Sequence, residues 1–119
     1  MAQILVLDDV SDAGMLVKRI LERKGHSVVV FTEEEDALRH ATTSAVDLCI
    51  LDIKLKKMTG VEVLEELKKL NPAMKAIMLT GYPTLETARE ALRLGAQEYC
   101  VKPINKEELE TKVAEVIGE

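Results

Sequence analysis

An α/β fold with a five-stranded parallel sheet, doubly wound in strand order 2-1-3-4-5 and covered by helices on both faces, is what this sequence predicts. Three observations lead there. Short apolar runs of strand length alternate with longer stretches whose apolar residues recur at helical spacing, in five successive pairs. Most of the short runs are continuously apolar, the pattern of strands buried on both faces. Strict strand–helix alternation favours parallel pairing through right-handed crossovers, which leaves few topologies.

Each element has its own local reasons. The first strand is expected over residues 3–8, followed by Ser11 as helix N-cap, a stripe of Leu16, Ile20 and Leu21, and Gly25 after the helix end. Ser27–Phe31 is the second strand, and the stretch after it supplies the second helix. Residues 47–52 form the third strand; Val61, Leu64, Leu67 and Leu70 mark the following helix, which Asn71-Pro72 stops. Lys75–Thr80 is the fourth strand, with Ala88, Ala91, Leu92 and Ala96 as the next stripe and Gly95 near its end. Glu98–Val101 and the helix Lys106–Ile117 close the series.

A chain of 119 residues fits one compact domain, so residues 1–119 are expected to be a single domain with no output domain attached. Apolar residues make up 47% and charged residues 31%, a balance that suits a packed globular chain, and the 3% aromatic content implies an aliphatic core. A net charge of −5 without a basic run argues against direct nucleic-acid binding. No apolar run approaches the ~20 residues of a membrane span and no basic leader opens the sequence, so no membrane association and a cytoplasmic location are expected. Cys49 and Cys100 lie in apolar runs without CxxC spacing and read as small buried hydrophobes.

In open α/β sheets ligands bind beyond the carboxyl ends of the strands where the winding reverses, here between the first and third strands. Asp8 and Asp9 end the first strand and Asp52 the third, so three carboxylates should converge there. Clustered carboxylates disfavour one another's ionised forms, and hard oxygen ligands are what Mg²⁺ prefers. Taken singly, Asp8 or Asp9 is as well explained as a helix cap, and Asp52 is better explained as a turn residue; the constellation reverses this. Thr80-Gly81 adds a hydroxyl at the end of the fourth strand and Lys102-Pro103 an ammonium at the end of the fifth. A carboxylate nucleophile, a cation, a hydroxyl donor and a lysine are the parts that phosphoryl transfer by positioning and electrostatics requires, so an aspartyl-phosphate site is inferred.

Leu7-Asp8-Asp9, Ile50-Leu51-Asp52, Met58-Thr59-Gly60, Leu79-Thr80-Gly81 and Val101-Lys102-Pro103, in that order, resemble the response-regulator receiver family of two-component signal transduction over essentially the whole chain. The resemblance implies a flavodoxin-like fold and a phosphoprotein that acts on no substrate but itself. It implies that Asp52 accepts phosphate from a sensor histidine kinase or a histidine phosphotransfer protein. Asp9 and Asp52 would bind Mg²⁺, or Mn²⁺ in its place, directly; Asp8 would bind it through water and Lys54 through its main-chain carbonyl. Thr80 would move to bond the acyl phosphate, Lys102 would pair with a phosphoryl oxygen, and Tyr99 would be the switch aromatic of the last strand. A cis Lys102-Pro103 peptide is implied as well. By the same analogy the switched surface is the fourth helix, fifth strand and fifth helix, which controls a downstream protein or output domain. The expected state is a monomer, or a weak dimer formed on phosphorylation. A tyrosine two places after Thr80, here Tyr82, would shield the acyl phosphate from water, and the Gly-Tyr-Pro turn is most like receivers of the nitrogen-regulation transcription-factor type.

The sequence opposes three rival readings. A haloacid-dehalogenase-type phosphatase needs Asp-x-Asp-x-Thr on the first strand, where this chain has Asp8-Asp9-Val10-Ser11, and a cap domain. A flavin binder needs a hydroxyl-rich phosphate loop where Asp8 and Asp9 stand. A docking module with the same fold and no phosphorylation is opposed by the intact Asp52, Thr80 and Lys102. His26 and His40, the remaining candidates for phosphotransfer, read as structural or solvated, away from the acidic edge.

Overall fold

The computed structural model describes residues 1–119. The elements run β1 (Gln3–Leu7), α1 (Ser11–Glu22), β2 (Ser27–Phe31), α2 (Glu34–Thr43), β3 (Leu48–Leu51), α3 (Gly60–Leu70), β4 (Lys75–Thr80), α4 (Leu85–Arg93), β5 (Glu98–Val101) and α5 (Lys106–Ile117). All strand pairs are parallel and the order is β2-β1-β3-β4-β5, as the sequence pattern predicts. Residues 8, 47 and 52, expected inside strands, lie just beyond them. Their main chains nonetheless extend the ladder, with the N–H of Asp8 donating to Phe31 at 3.1 Å, that of Asp47 to Gln3 at 2.8 Å and that of Asp52 to Leu7 at 3.0 Å.

Alternation of side chains sorts the sheet into two aliphatic cores. Ile4, Val6, Leu48, Ile50, Ile77 and Leu79 pack under α1 and α5 through Val17, Leu21, Leu109 and Val113. Leu5, Leu7, Cys49, Leu51 and Met78 pack under α2, α3 and α4 through Ala37, Val63, Leu64, Leu67 and Ala91. Burying one such large aliphatic side chain stabilises the fold by about 1.5–3 kcal/mol. Both cysteines are free and buried, and burial pushes the Cys49 thiol up to about 12, so it is a packing group.

The helix stripes differ from expectation by a residue in places. Val17 and Leu21 carry α1 into the core while Leu16 is 53% exposed; Leu70 and Leu92 also face outward. A one-residue step turns a helix by about 100°, and an outer-layer helix buries only one stripe. Ser11 does not cap α1: the N-cap is Val10, and Ser11 is the first helical residue. The cause lies upstream, where Oδ1 of Asp8 accepts the Val10 N–H at 2.9 Å and closes the turn one residue early. Asn71 caps the end of α3 as expected, and Gly25 after α1 has φ of +93°, a left-handed turn suited to glycine.

Gly60 opens α3 immediately beside β3. Its N–H donates to Ile53 at 2.7 Å, and a Cβ at this position would overlap the carbonyl oxygen of Asp52. Thr59 caps the helix, with Glu62 completing a reciprocal capping box. Because the obstacle is backbone, Gly60→Ala is expected to cost about 1–3 kcal/mol, read as a lower urea midpoint. An unchanged midpoint would show that the β3–α3 turn yields freely.

Candidate functional site

Register brings the chemistry to one edge. Leu7 pairs with Leu51, Leu51 with Met78 and Met78 with Tyr99, so Asp8 and Asp52 each stand one residue beyond a common row. Alternation directs both side chains to the α1/α5 face, where Val6 and Ile50 precede them in the core. Thr80 pairs with Val101 one step further along, so Lys102 leaves β5 at the same edge. The Lys102-Pro103 peptide is cis, in agreement with the resemblance.

Asp8 and Asp52 are buried and Asp9 is half-buried, and one carboxylate oxygen from each lies within 4.8 Å of the others. Negative charges this close repel strongly in a partly desolvated site. The Lys102 ammonium offsets part of that repulsion by donating to Oδ2 of Asp8 at 2.5 Å and to Oδ2 of Asp52 at 3.0 Å. Burial works against its charge, but the hydrogen bonds and charges of Asp8 and Asp52 outweigh it and hold Lys102 above the ordinary lysine range. One ammonium among three carboxylates leaves the site acidic. Hard oxygen donors, partly open to solvent, are the donor set that suits a divalent cation of the Mg²⁺ kind.

Thr80 is fully buried; its Oγ1 accepts the Tyr82 N–H at 3.0 Å and its carbonyl accepts the Lys102 N–H at 2.8 Å. The Lys54 N–H points at Oδ1 of Asp52 at 3.4 Å, and the Lys54 ammonium lies 4.4 Å from the centre of the exposed Tyr82 ring. These two side chains, with Asp9, Asp52 and Lys102, line a 230 Å³ cavity at the mouth of the site. Tyr99 lies on the opposite face of the sheet, half-buried. Its hydroxyl shares a 2.8 Å hydrogen bond with Oγ1 of Thr87 and accepts the N–H of Thr84, the N-cap of α4, at 3.4 Å.

Of the residues expected at the site, Asp8, Asp9, Asp52 and Lys102 meet directly, Lys54 borders them and Thr80 sits at the end of the neighbouring strand. Tyr99 does not reach the acidic edge. His26 is buried, with Nδ1 accepting the Ala2 N–H at 3.1 Å, and His40 packs on Phe31 with ring centres 5.3 Å apart. Sequence reasoning missed Glu34, which is 2% exposed and accepts the N–H groups of Lys57 and Met58. In sequence it is one of three glutamates opening a helix, a pattern that ordinarily signals first-turn acids facing solvent.

A doubly wound sheet carrying this constellation defines a receiver-type module, and comparison with known proteins agrees. Residues 4–114 match the family model described as the response regulator receiver domain, and the chain belongs to that family. It is 32% identical over 115 residues to the transcriptional regulatory protein ZraR of Escherichia coli (strain K12), covering 97% of this chain and 26% of ZraR. It is 35% identical over 108 residues to the putative response regulator NtrX-like of Rickettsia bellii, covering 89% of this chain and 23% of that protein, in line with the likeness to nitrogen-regulation receivers. The chain thus spans about a quarter of the length of these relatives. Among solved structures it is similar to a response regulator receiver domain protein (CheY-like) from Methanospirillum hungatei JF-1, with a TM-score of 0.96 and 36% identity over 99% of this chain and 94% of that one. NtrX from Brucella abortus is also similar, with a TM-score of 0.92 and 33% identity over 98% of this chain and 27% of that one. No helix is long and apolar enough to cross a membrane.

In metal-free buffer Asp9→Asn is expected to stabilise the fold by up to about 1 kcal/mol, the scale of repulsion between unit charges ~4 Å apart in water. A lower urea midpoint for this variant would contradict the crowding. Lys102 carries a pH signature of defined sign. Its folded value lies above 10.5, so its contribution is complete below that pH and is lost as pH rises through the higher folded value. The stability gap between wild type and Lys102→Met should therefore be constant from neutral pH to about 10 and narrow above it. A gap unchanged in the strongly alkaline range would sink this assignment.

Proposed function

We propose that this chain is a phosphorylation-controlled switch in which Asp52 accepts a phosphoryl group from the phosphohistidine of a sensor histidine kinase or histidine phosphotransfer protein. The observation that carries this reading is the convergence of Asp8, Asp9 and Asp52 around the Lys102 ammonium at one sheet edge. Membership of the receiver family supports it.

In this reading a carboxylate oxygen of Asp52 attacks phosphorus, the P–N bond breaks, and the imidazole leaves and takes up a proton. The product is an acyl phosphate on Asp52. Asp9 and Asp52, with the main-chain carbonyl of Lys54, would hold Mg²⁺ or Mn²⁺, with Asp8 assisting. When bound, the cation neutralises phosphoryl oxygens during transfer. Lys102 exchanges a carboxylate partner for a phosphoryl oxygen, and the chain catalyses only its own phosphorylation and dephosphorylation. Tyr82 and Lys54, stacked at the cavity mouth, slow the entry of water that ends the signal.

Phosphorylation adds nearly two negative charges beside Thr80. Thr80 then gives up the Tyr82 N–H to bond the acyl phosphate, and the 81–84 segment and α4 follow. Tyr99 reports that shift, because its hydroxyl is tied to Thr84 and Thr87 at the start of α4. The α4–β5–α5 face thereby acquires or loses a downstream protein or output domain. Residues 1–119 act as one receiver domain, in the cytoplasm and without direct nucleic-acid contact, as a monomer or a weak phosphorylation-dependent dimer.

Incubation with acetyl phosphate and Mg²⁺ followed by intact-mass measurement is expected to give a one-phosphoryl adduct in wild type and none in Asp52→Asn. In the same assay Tyr82→Ala should lose the adduct faster than wild type. Absence of any wild-type adduct, together with no binding of beryllofluoride, would favour an unphosphorylated docking module instead.

A further inference from the structure

We infer that Glu34 is a positioning residue of the Asp52 site: from the first turn of α2 it clamps the loop between β3 and α3, and so holds the main chain of Asp52 and Lys54 in the geometry that receives a divalent cation. This inference rests on the function proposed above.

Three consecutive glutamates grip this loop in different ways. Glu35 is exposed and Glu33 half-buried, and they pair with the ammonium groups of Lys57 and Lys56 at 2.7 and 3.0 Å. Exposed pairs of this kind contribute little. Glu34 alone turns inward. Its Oε2 accepts the main-chain N–H of Lys57 at 2.5 Å and that of Met58 at 2.8 Å, while its Oε1 is buried without a partner. Burial pushes the carboxyl up, but the N–H groups of Met58, Glu34 itself and Lys57, and then the Lys57 charge, outweigh it and hold the group below its ordinary value. It is an ionised anchor on two backbone donors, at the helix end where negative charge is favoured.

The anchored loop is short and leads straight from the site. Lys54 bridges to Thr59 across it, and the Gly60 N–H closes it on the Ile53 carbonyl at 2.7 Å. Lys57 and Met58 form its far side, and Glu34 is what ties their N–H groups to the body of the protein. Without that carboxylate two inward-facing N–H groups lose their acceptor, and the loop must turn to hydrate them. Lys54, three residues from Lys57, would turn with it.

The test compares wild type, Glu34→Ala, Glu34→Asp and Glu34→Gln by calorimetric titration with Mg²⁺, by thermal unfolding, and by the acetyl phosphate mass assay. Glu34→Ala should bind Mg²⁺ on the order of 10-fold more weakly, the usual scale for losing a group that orients ligands from behind. Glu34→Asp, whose carboxylate is withdrawn by one methylene, should weaken binding in the same direction. Glu34→Gln keeps an oxygen acceptor and should restore affinity close to wild type. Amide exchange at Lys57 and Met58 should accelerate in the first two variants and not in the third.

Wild-type Mg²⁺ affinity in both Glu34→Ala and Glu34→Asp would overturn the inference, even if both melt at lower temperature. If Glu34→Ala does not fold, the Glu34→Asp titration decides alone. A wild type that binds Mg²⁺ but takes no phosphoryl group would overturn the proposed switch and leave the Glu34 titrations to judge this clamp. A wild type that binds no Mg²⁺ would overturn both.

Discussion

Three carboxylates crowded at one edge of a parallel sheet, with a single ammonium between two of them, form the constraint on which the rest of the structure depends. Such an arrangement is unfavourable by itself, and it persists because the backbone leaves no alternative. The ladder runs through Asp8 and Asp52 themselves, whose N–H groups are bonded to neighbouring strands, and both side chains emerge from positions locked between two aliphatic cores. Strain of this kind is sustained by packing elsewhere. Lys102 arrives by the same logic, from the end of a strand whose register with β4 is fixed by the residues before it.

The sheet also separates two kinds of chemistry. Asp8 and Asp52 project to the α1/α5 side, whereas Tyr99 lies on the side of α2, α3 and α4. Thr80 stands where β4 ends and the 81–84 segment begins, bonded through its carbonyl to Lys102 and through its hydroxyl to the Tyr82 N–H. It therefore links the strand that carries Lys102 to the segment that leads to α4. The hydroxyl cluster of Thr84, Thr87 and Tyr99 then makes the start of α4 and the middle of β5 a connected unit.

The loop after Asp52 is built from both ends. Gly60 allows α3 to begin against the Asp52 carbonyl, where any side chain would intrude, and the Thr59–Glu62 capping box fixes that beginning. From the other side Glu34 holds the loop through main-chain groups. A backbone pinned in this way presents Asp52 in one orientation.

Much of this was legible in order and period alone. The element succession, the strand order and the convergence of Asp8, Asp9, Asp52, Thr80 and Lys102 on one edge follow from continuous apolar runs, helical stripes and the rule that places ligands at the switch point, because these are local patterns or consequences of chirality. Finer features were not legible. Whether Leu16 or Val17 faces the core is a rotation of one residue, decided by the neighbouring layer. Ser11 lost the cap to a turn closed by Asp8, a contest between two local options of similar energy. Glu34 and its partners Lys57 and Met58 lie more than twenty residues apart in sequence, and the carboxylate recognises main-chain N–H groups that every residue but proline carries. The sequence by itself therefore determined which side chains reach the acidic edge, since β-strand alternation and register dictate that. Only the tertiary structure decided which buried carboxylate holds the adjoining loop, because contacts to backbone leave no mark in the identity of the residues contacted.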